Sequence, residues 1–219
     1  MRRARHFDAL AENYDRREEL RGDPLEAWLR ATLPVVGGHA VDLACGAGRH
    51  TTVIAERYER VLAVDLSSEM IGLARRRRPG ANIEYRTSDL LDVTGQFDLV
   101  FSSAALHDLP ELDHALAHIR SLVAPQGRAI IADVVAPLSP VPSWIFRAGA
   151  LIYLPIDLVR QRKDAFELYR LDTEPAWLAH LASDRYLSRA DFERRYSAYF
   201  PAADFHRARH LHICSWVNR

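Results

Sequence analysis

Asp42, Asp65, Asp89 and His107, with glycines at 46 and 48, are the residues of this chain best suited to holding a ligand and moving a proton. The stretch Val41-Asp42-Leu43-Ala44-Cys45-Gly46-Ala47-Gly48-Arg49-His50-Thr51 is an apolar run that carries an acid, breaks at two glycines and opens into a helical pattern. A parallel strand delivers a nucleotide-like ligand to a helix N-terminus in this way, the glycines letting backbone approach the ligand with no side chain between. Asp65 ends the next apolar run, where a carboxylate can accept both vicinal hydroxyls of a ribose, each charge-assisted bond contributing about 1.5 to 3 kcal/mol. The plainer alternatives are a helix cap for Asp65, beside Ser67, and a turn former for Asp89. His107 follows a fourth apolar run, and imidazole is the side chain suited to general-base work near neutral pH.

These residues need a scaffold, and the hydrophobic pattern supplies one. From residue 40, strands expected at 40–44, 61–64, 82–87, 97–102 and 128–135 alternate with helices at 48–58, 68–78 and 112–122, which argues for a doubly wound parallel α/β sheet with ligands at the strand C-termini. Ahead of it, Phe7, Leu10, Ala11 and Tyr14 recur at helical spacing within 3–21, and a second helix runs from Pro24 through Leu33; together, residues 1–39 form a flap over the sheet or its edge. Past the core at 40–136, Pro137, Pro140 and Pro142 make a stiff connection into two or three helices between 143 and 183, a helical lid spanning 137–187. A helix at 188–199 and a strand at 210–217 close the sheet within 188–219. Thirteen of the twenty aromatic residues fall in the last 76 positions, so this end supplies unusual aromatic surface.

The 219 residues suit a single domain. Lys plus Arg and Asp plus Glu number 29 each, so no global field draws the chain to nucleic acid or an anionic surface. The basic run Arg75-Arg76-Arg77-Arg78 falls where a helix ends, and cations complement a helix C-terminus. Two distant cysteines, Cys45 and Cys214, without metal-ligand spacing imply a reduced, cytoplasmic protein, and neither a signal peptide nor a membrane span is expected. His206, His210 and His212 invite a metal reading, but no acid lies beside them in sequence, and no metal is expected.

The glycine turn lacks the third glycine of dinucleotide-binding proteins, and Asp42 would set a negative charge near a pyrophosphate, which disfavours a nicotinamide-dependent oxidoreductase. A cationic ligand fits better. At this point the sequence resembles the class I S-adenosylmethionine-dependent methyltransferases, whose first motif reads acidic-x-Gly-x-Gly-x-Gly. Asp42 to Gly48 matches except at Ala44, a departure expected to be mild because the strand there needs no positive backbone angle. Asp65 and Asp89 match the family's ribose and adenine acids, and Phe97-Asp98-Leu99-Val100 and Leu122 to Arg128 match its fourth strand and fifth-strand turn. The resemblance implies a Rossmann-like, mostly parallel seven-stranded sheet with S-adenosyl-L-methionine held by Tyr14 from the flap, Asp42, Ala44, Gly46, Gly48, Asp65, Leu66, Asp89, Leu90 and Ser103. Tyr14 reads equally as the apolar face of the first helix.

Methyl transfer is an in-line displacement, so positioning dominates and a hydroxyl acceptor gains from a base. Ser102 to Pro110 lacks the Asn/Asp-Pro-Pro-aromatic pattern of many amino-group methyltransferases, while His107-Asp108 resembles the His-Asp pair of small-molecule O-methyltransferases. The expected reaction is methylation of a small, partly apolar molecule at a hydroxyl oxygen, with His107 the catalytic base or else a packed histidine. Carbon and nitrogen acceptors stay open. Trp144, Tyr153, Trp177 and His180, with Tyr186, are expected to line the acceptor pocket, and packing or a dimer contact is the alternative. His180 and Asp184, four residues apart, are read as a second acid-base site or a surface pair, the surface being favoured. The protein is expected to be a monomer or homodimer, with no nucleic-acid or membrane partner. A regulatory protein that keeps the fold without transferring methyl is the rival of a different kind.

Overall fold

The apolar runs become parallel neighbours. The computed structural model describes residues 8, 10–34, 37–136, 142–160 and 162–219, with the side chains of Asp108 and Ser143 excepted. Phe7, Pro137 and Pro140 therefore lie outside the described residues. The strands β1 (Gly37–Leu43), β2 (Tyr58–Asp65), β3 (Ile83–Thr87), β4 (Phe97–Ser103) and β5 (Val123–Val134) are joined by α3 (Arg49–Ala55), α4 (Ser68–Arg77) and α5 (Leu112–Ser121). Two further strands, β6 (Asp204–Ala208) and β7 (Leu211–Val217), follow α9 (Arg189–Tyr199). The seven-stranded order is β3-β2-β1-β4-β5-β7-β6, with β7 antiparallel to both neighbours. Strand order reverses between β1 and β4, which opens a crevice at their C-terminal ends.

β6 falls where no strand was expected. Asp204, His206 and Arg207 are exposed, and an edge strand that buries only Ala208 and part of Phe205 lacks a strong apolar signature. β1 begins at Gly37 rather than residue 40, because the apparent glycine punctuation pairs with Tyr58: a Cβ at Gly37 would lie 2.2 Å from the Tyr58 ring.

The sheet buries two faces. Val41, Leu43, Val64, Val100 and Ile131 pack with Leu116 of α5 and Phe192 and Tyr196 of α9; Ala40, Leu99, Phe101 and Ile130 pack on the other side with the flap. The flap comprises α1 (Ala11–Arg21) and α2 (Pro24–Thr32). Asp23 caps α2 by accepting from Leu25 N, Pro24 sits in its first turn, and its fully buried Leu25 and Leu29 each contribute about 1.5–3 kcal/mol of burial.

The lid is α6 (Ser143–Val159), α7 (Ala165–Asp172) and α8 (Pro175–Ser183). Its two ends meet where Ala136 N donates to Leu187 O at 3.0 Å, beside a Val135–Leu187 bridge, so it leaves and rejoins the core at one point. No helix among the described residues is long and apolar enough to cross a membrane.

Candidate active site

β1 ends at Leu43 and the chain turns at once through three left-handed residues: Ala44 (φ 58°), Gly46 (φ 53°) and Gly48 (φ 80°). Gly48 is doubly constrained, since a Cβ there would also lie 2.6 Å from Tyr85 Oη. At Gly46 a Cβ would meet nothing within 4 Å, so this backbone faces open space. The angle at Ala44 corrects the expectation for that position. The turn brings Cys45 N to Val64 O at 2.9 Å, and an L-residue held left-handed costs roughly 1–2 kcal/mol.

Asp65, at the end of β2, ties this turn to the next. Its Oδ2 accepts from Gly46 N and its Oδ1 from Ser67 N, both at 2.8 Å. Each oxygen keeps a lone pair, which suits a carboxylate that also receives two ligand hydroxyls. Burial pushes the Asp65 pKa up against those two backbone bonds. Ser67 itself caps α4, accepting from Met70 N at 3.1 Å. Asp42 sits buried on β1 and accepts from Thr51 Oγ1 at 2.5 Å; burial pushes its pKa up to about 6, against the Thr51 bond. Asp89 accepts from Leu91 N at 2.9 Å and starts a 3-10 turn, Leu90–Asp92, whose Leu90 is buried in the core. Leu66 is exposed beside Asp65, and Ser103 ends β4, half-buried.

Tyr14 lies on α1, its ring centroid 5.8 Å from that of Trp177. Burial and then Glu18 raise its phenol pKa, and the ring packs on the small cluster of Ala11, Ala47, Met70 and Leu73 beside the glycine turn. What fixes α1 on the core is Asp15, 1 % exposed, whose Oδ2 lies 2.7 Å from Arg77 Nη1. Arg78 Nη2 is 2.8 Å from Oδ1, an ion-pair contact off the hydrogen-bond axis. Arg78 Nη1 also donates to Ala47 O at 2.8 Å, inside the glycine turn. The basic run therefore ends α4 as expected and in addition clamps the flap and the turn together. On the opposite side, Arg16 is bidentate to Glu167, Arg21 pairs with Asp172, and Asn13 donates to Glu174, all acids of the lid.

His107, in the 3-10 turn Leu106–Asp108 after β4, finds its partner on β5 rather than next door. Its backbone N donates to Asp133 Oδ2 at 2.8 Å, and its Nδ1 lies 2.5 Å from Asp133 Oδ1. A carboxylate only accepts, so Nδ1 carries a proton and the fork fixes the ring with Nε2 turned away from Asp133. Nε2 is 3.9 Å from Asp184 Oδ2, which accepts from Tyr186 Oη at 2.5 Å, and the His107 and Tyr186 rings lie 5.1 Å apart. His180 Nδ1 is 3.6 Å from Asp184 Oδ1, and both residues are buried, which corrects the expected surface pair: the lid folds their helix end inward over His107. Trp177, also buried, lies beside His180 with the rings tilted at 46° and their centroids 5.1 Å apart, and it carries the Arg17 guanidinium 3.4 Å above its ring.

Of the residues expected to line an acceptor pocket, Tyr186 lies against His107, while His180 is linked to it through Asp184 and Trp177 follows beyond His180. Trp144 and Tyr153 lie on the outer surface of α6, 67 % and 64 % exposed. Asp133 and Asp184 carry much of the geometry, and their roles were not anticipated. The signal for Asp133 was a lone acid in Ala129 to Val135, an otherwise apolar strand, near its C-terminal end. Among the described residues no group of histidine, cysteine and acids could hold a metal; His206 lies against Trp28, and His212 pairs with Glu193.

The sequence model of a methyltransferase domain matches residues 41–131. The demethylmenaquinone methyltransferase of Clavibacter sepedonicus is 31% identical over 186 residues, covering 78% of this chain and 74% of that relative. An O-methyltransferase of Penicillium expansum is 29% identical over 136 residues, 56% of this chain and 49% of its own length, so the chain spans about half of it. The solved complex of DhpI with SAH shares the fold, with a TM-score of 0.65 at 22% identity over 97% of this chain and 93% of that one. The open backbone at Gly46 and the free lone pairs of Asp65 fit the cofactor these comparisons indicate. The chain belongs to the class I S-adenosylmethionine-dependent methyltransferases and takes its methyl group from S-adenosylmethionine.

Proposed function

We propose that this enzyme methylates a hydroxyl oxygen on a small, partly apolar molecule, with His107 as the general base. The observation that carries the reading is the buried fork of Asp133 on His107, which holds the Nδ1 proton and orients the ring, an arrangement suited to a histidine base. The acceptor hydroxyl gives its proton to Nε2, and the oxygen's electron pair forms the new bond to carbon. S-adenosylmethionine, when bound, supplies that carbon on a cationic sulfur that departs as a neutral thioether. Asp133 stabilises the imidazolium, and Tyr186, with His180 and Trp177 beyond Asp184, supplies aromatic side chains to orient a flat acceptor.

In this reading residues 1–39 cover the donor, 40–136 hold it, 137–187 roof the acceptor and 188–219 close the sheet. The relative named for O-methyl transfer supports oxygen as the target. A second reading is favoured by the relative that acts on demethylmenaquinone: a deprotonated ring hydroxyl is nucleophilic at its neighbouring carbon as well, so the same base serves carbon methylation. Both thiols are free, with Cys214 buried, and this supports a cytoplasmic setting.

The test is His107→Ala, screened with a panel of phenols and hydroquinones by release of S-adenosylhomocysteine. The variant is expected to bind S-adenosylhomocysteine normally and to lose about 10²–10⁴-fold in turnover, the usual contribution of a positioned base. Turnover at the wild-type rate overturns the assignment.

A further inference from the structure

The outer face of the lid has no part in the site just described. Helix α6 turns Trp144, Leu151, Ile152, Ile156 and Val159 outward, the last 83 % exposed, and Phe166 of α7 continues the surface at 66 %. On a helix of 3.6 residues per turn, positions 144, 151, 152, 155, 156 and 159 form one stripe, with no charge among them.

The charges around this stripe are of one sign. Between 142 and 174, every described residue that is exposed is apolar, aromatic or basic, the basic ones being Arg147, Arg160, Lys163 and Arg170. The acids of the same stretch are withdrawn: Asp157 and Asp164 lie against Arg162, and Glu167, Asp172 and Glu174 are engaged by α1. The chain as a whole is neutral, so this excess is local to one face.

We propose that this face rests on an anionic membrane surface, with α6 lying in the interface. An apolar stripe flanked by arginine and lysine, with a tryptophan at one end, is the pattern of helices that sit in the headgroup layer, where lipid phosphates meet the cations and the stripe enters the acyl boundary. At 17 residues α6 is about 26 Å long at 1.5 Å per residue, shorter than the hydrocarbon core, so it lies along the surface and does not cross it. A second copy of this chain is a poorer occupant. In a two-fold contact the same patch meets itself, and with no exposed acid on it, cations would face cations. The placement brings the site's roof to the phase in which apolar acceptors dissolve, and it holds whichever atom receives the methyl group.

The test is flotation of the purified enzyme with two kinds of vesicle, phosphatidylcholine alone and phosphatidylcholine with about a third phosphatidylglycerol. The wild type is expected to float with the anionic vesicles and to be released by raised salt. Each basic residue near such a surface contributes about five-fold in partitioning, so Arg160→Glu with Lys163→Glu is expected to weaken binding by at least about 25-fold. Ile152→Glu with Val159→Glu is expected to abolish it. Because these side chains are exposed, both variants should keep the wild-type melting temperature and affinity for S-adenosylhomocysteine. The proposal is overturned if the wild type fails to float with anionic vesicles. It is equally overturned if the wild type sediments as a dimer that Ile152→Glu with Val159→Glu dissociates while neither form binds vesicles.

Discussion

Replacing Asp15 by Asn separates the flap from the core with the least other disturbance. The carboxylate is buried between the guanidinium groups of Arg77, at 2.7 Å, and Arg78, at 2.8 Å. Breaking a buried ion pair costs about 3–5 kcal/mol, because the remaining charge is left uncompensated. Arg77 is 42% exposed, so its share is screened to about 1 kcal/mol or less, whereas Arg78 is 17% exposed and keeps its bond to the Ala47 carbonyl. The sum lands near the low end, about 3 kcal/mol, which at 1.36 kcal/mol per decade is an upper bound of roughly 150-fold on the docking equilibrium of α1. Since α1 packs Ala11 and Tyr14 with Ala47 of the glycine turn and Arg78 holds that turn, titration calorimetry with S-adenosylhomocysteine should show affinity lower by at least about ten-fold. Hydrogen exchange should show the α1 amides deprotected, and Arg77→Gln should change little. An Asp15→Asn enzyme that binds within two-fold of wild type, with α1 still protected, would mean that the ion pairs do not hold the flap.

Three further outcomes are expected. Ala44→Gly relieves about 1–2 kcal/mol of left-handed strain and returns about 0.4–1 kcal/mol through the freer unfolded chain, so the urea midpoint should rise modestly; a fall would show that residue 44 does not keep this conformation in solution. Asp42 keeps its proton up to about pH 6 when folded but releases it near 3.8 when unfolded. Its contribution is therefore fully present below about pH 4 and declines by about 3 kcal/mol as pH rises to 6, and urea stability across pH 4–7 should slope downward in wild type relative to Asp42→Asn; parallel curves would contradict the burial argument. Asp133→Asn removes a charge-assisted bond of about 1.5–3 kcal/mol from His107, so kcat should fall about 10- to 100-fold with S-adenosylhomocysteine affinity unchanged, and a variant turning over at the wild-type rate would show that His107 acts without it.

The expected cofactor residues rest on local signals. Asp65 follows the apolar run Val61 to Val64, Asp89 follows an alternating segment whose apolar positions are Ile83 and Tyr85, and the Asp42-to-Gly48 motif lies on consecutive residues. The proposed catalytic half depends on contacts between distant segments. His107 meets Asp133 across 26 residues because β4 and β5 pair with Ser103 beside Ala132, a register that composition does not reveal. The spacing of His180 and Asp184 pointed to a pair, but their burial follows from how the lid packs, and helical periodicity does not encode that. Asp15 and the arginines of α4 are separated by about 60 residues of intervening fold. The left-handed angle at Ala44 was obscured for a different reason, since alanine is itself a poor marker of such a turn.

Helix α1 is gripped on both sides, and the two grips differ in kind. Toward α4 it inserts one buried anion between two arginines; toward the lid it offers Arg16, Arg21 and Asn13 to acids near the surface, contacts screened by salt, around an Arg17 guanidinium that lies buried on the Trp177 ring. Raised salt therefore loosens the rim of the lid contact and leaves both buried anchors in place, so flap and lid remain joined through α1.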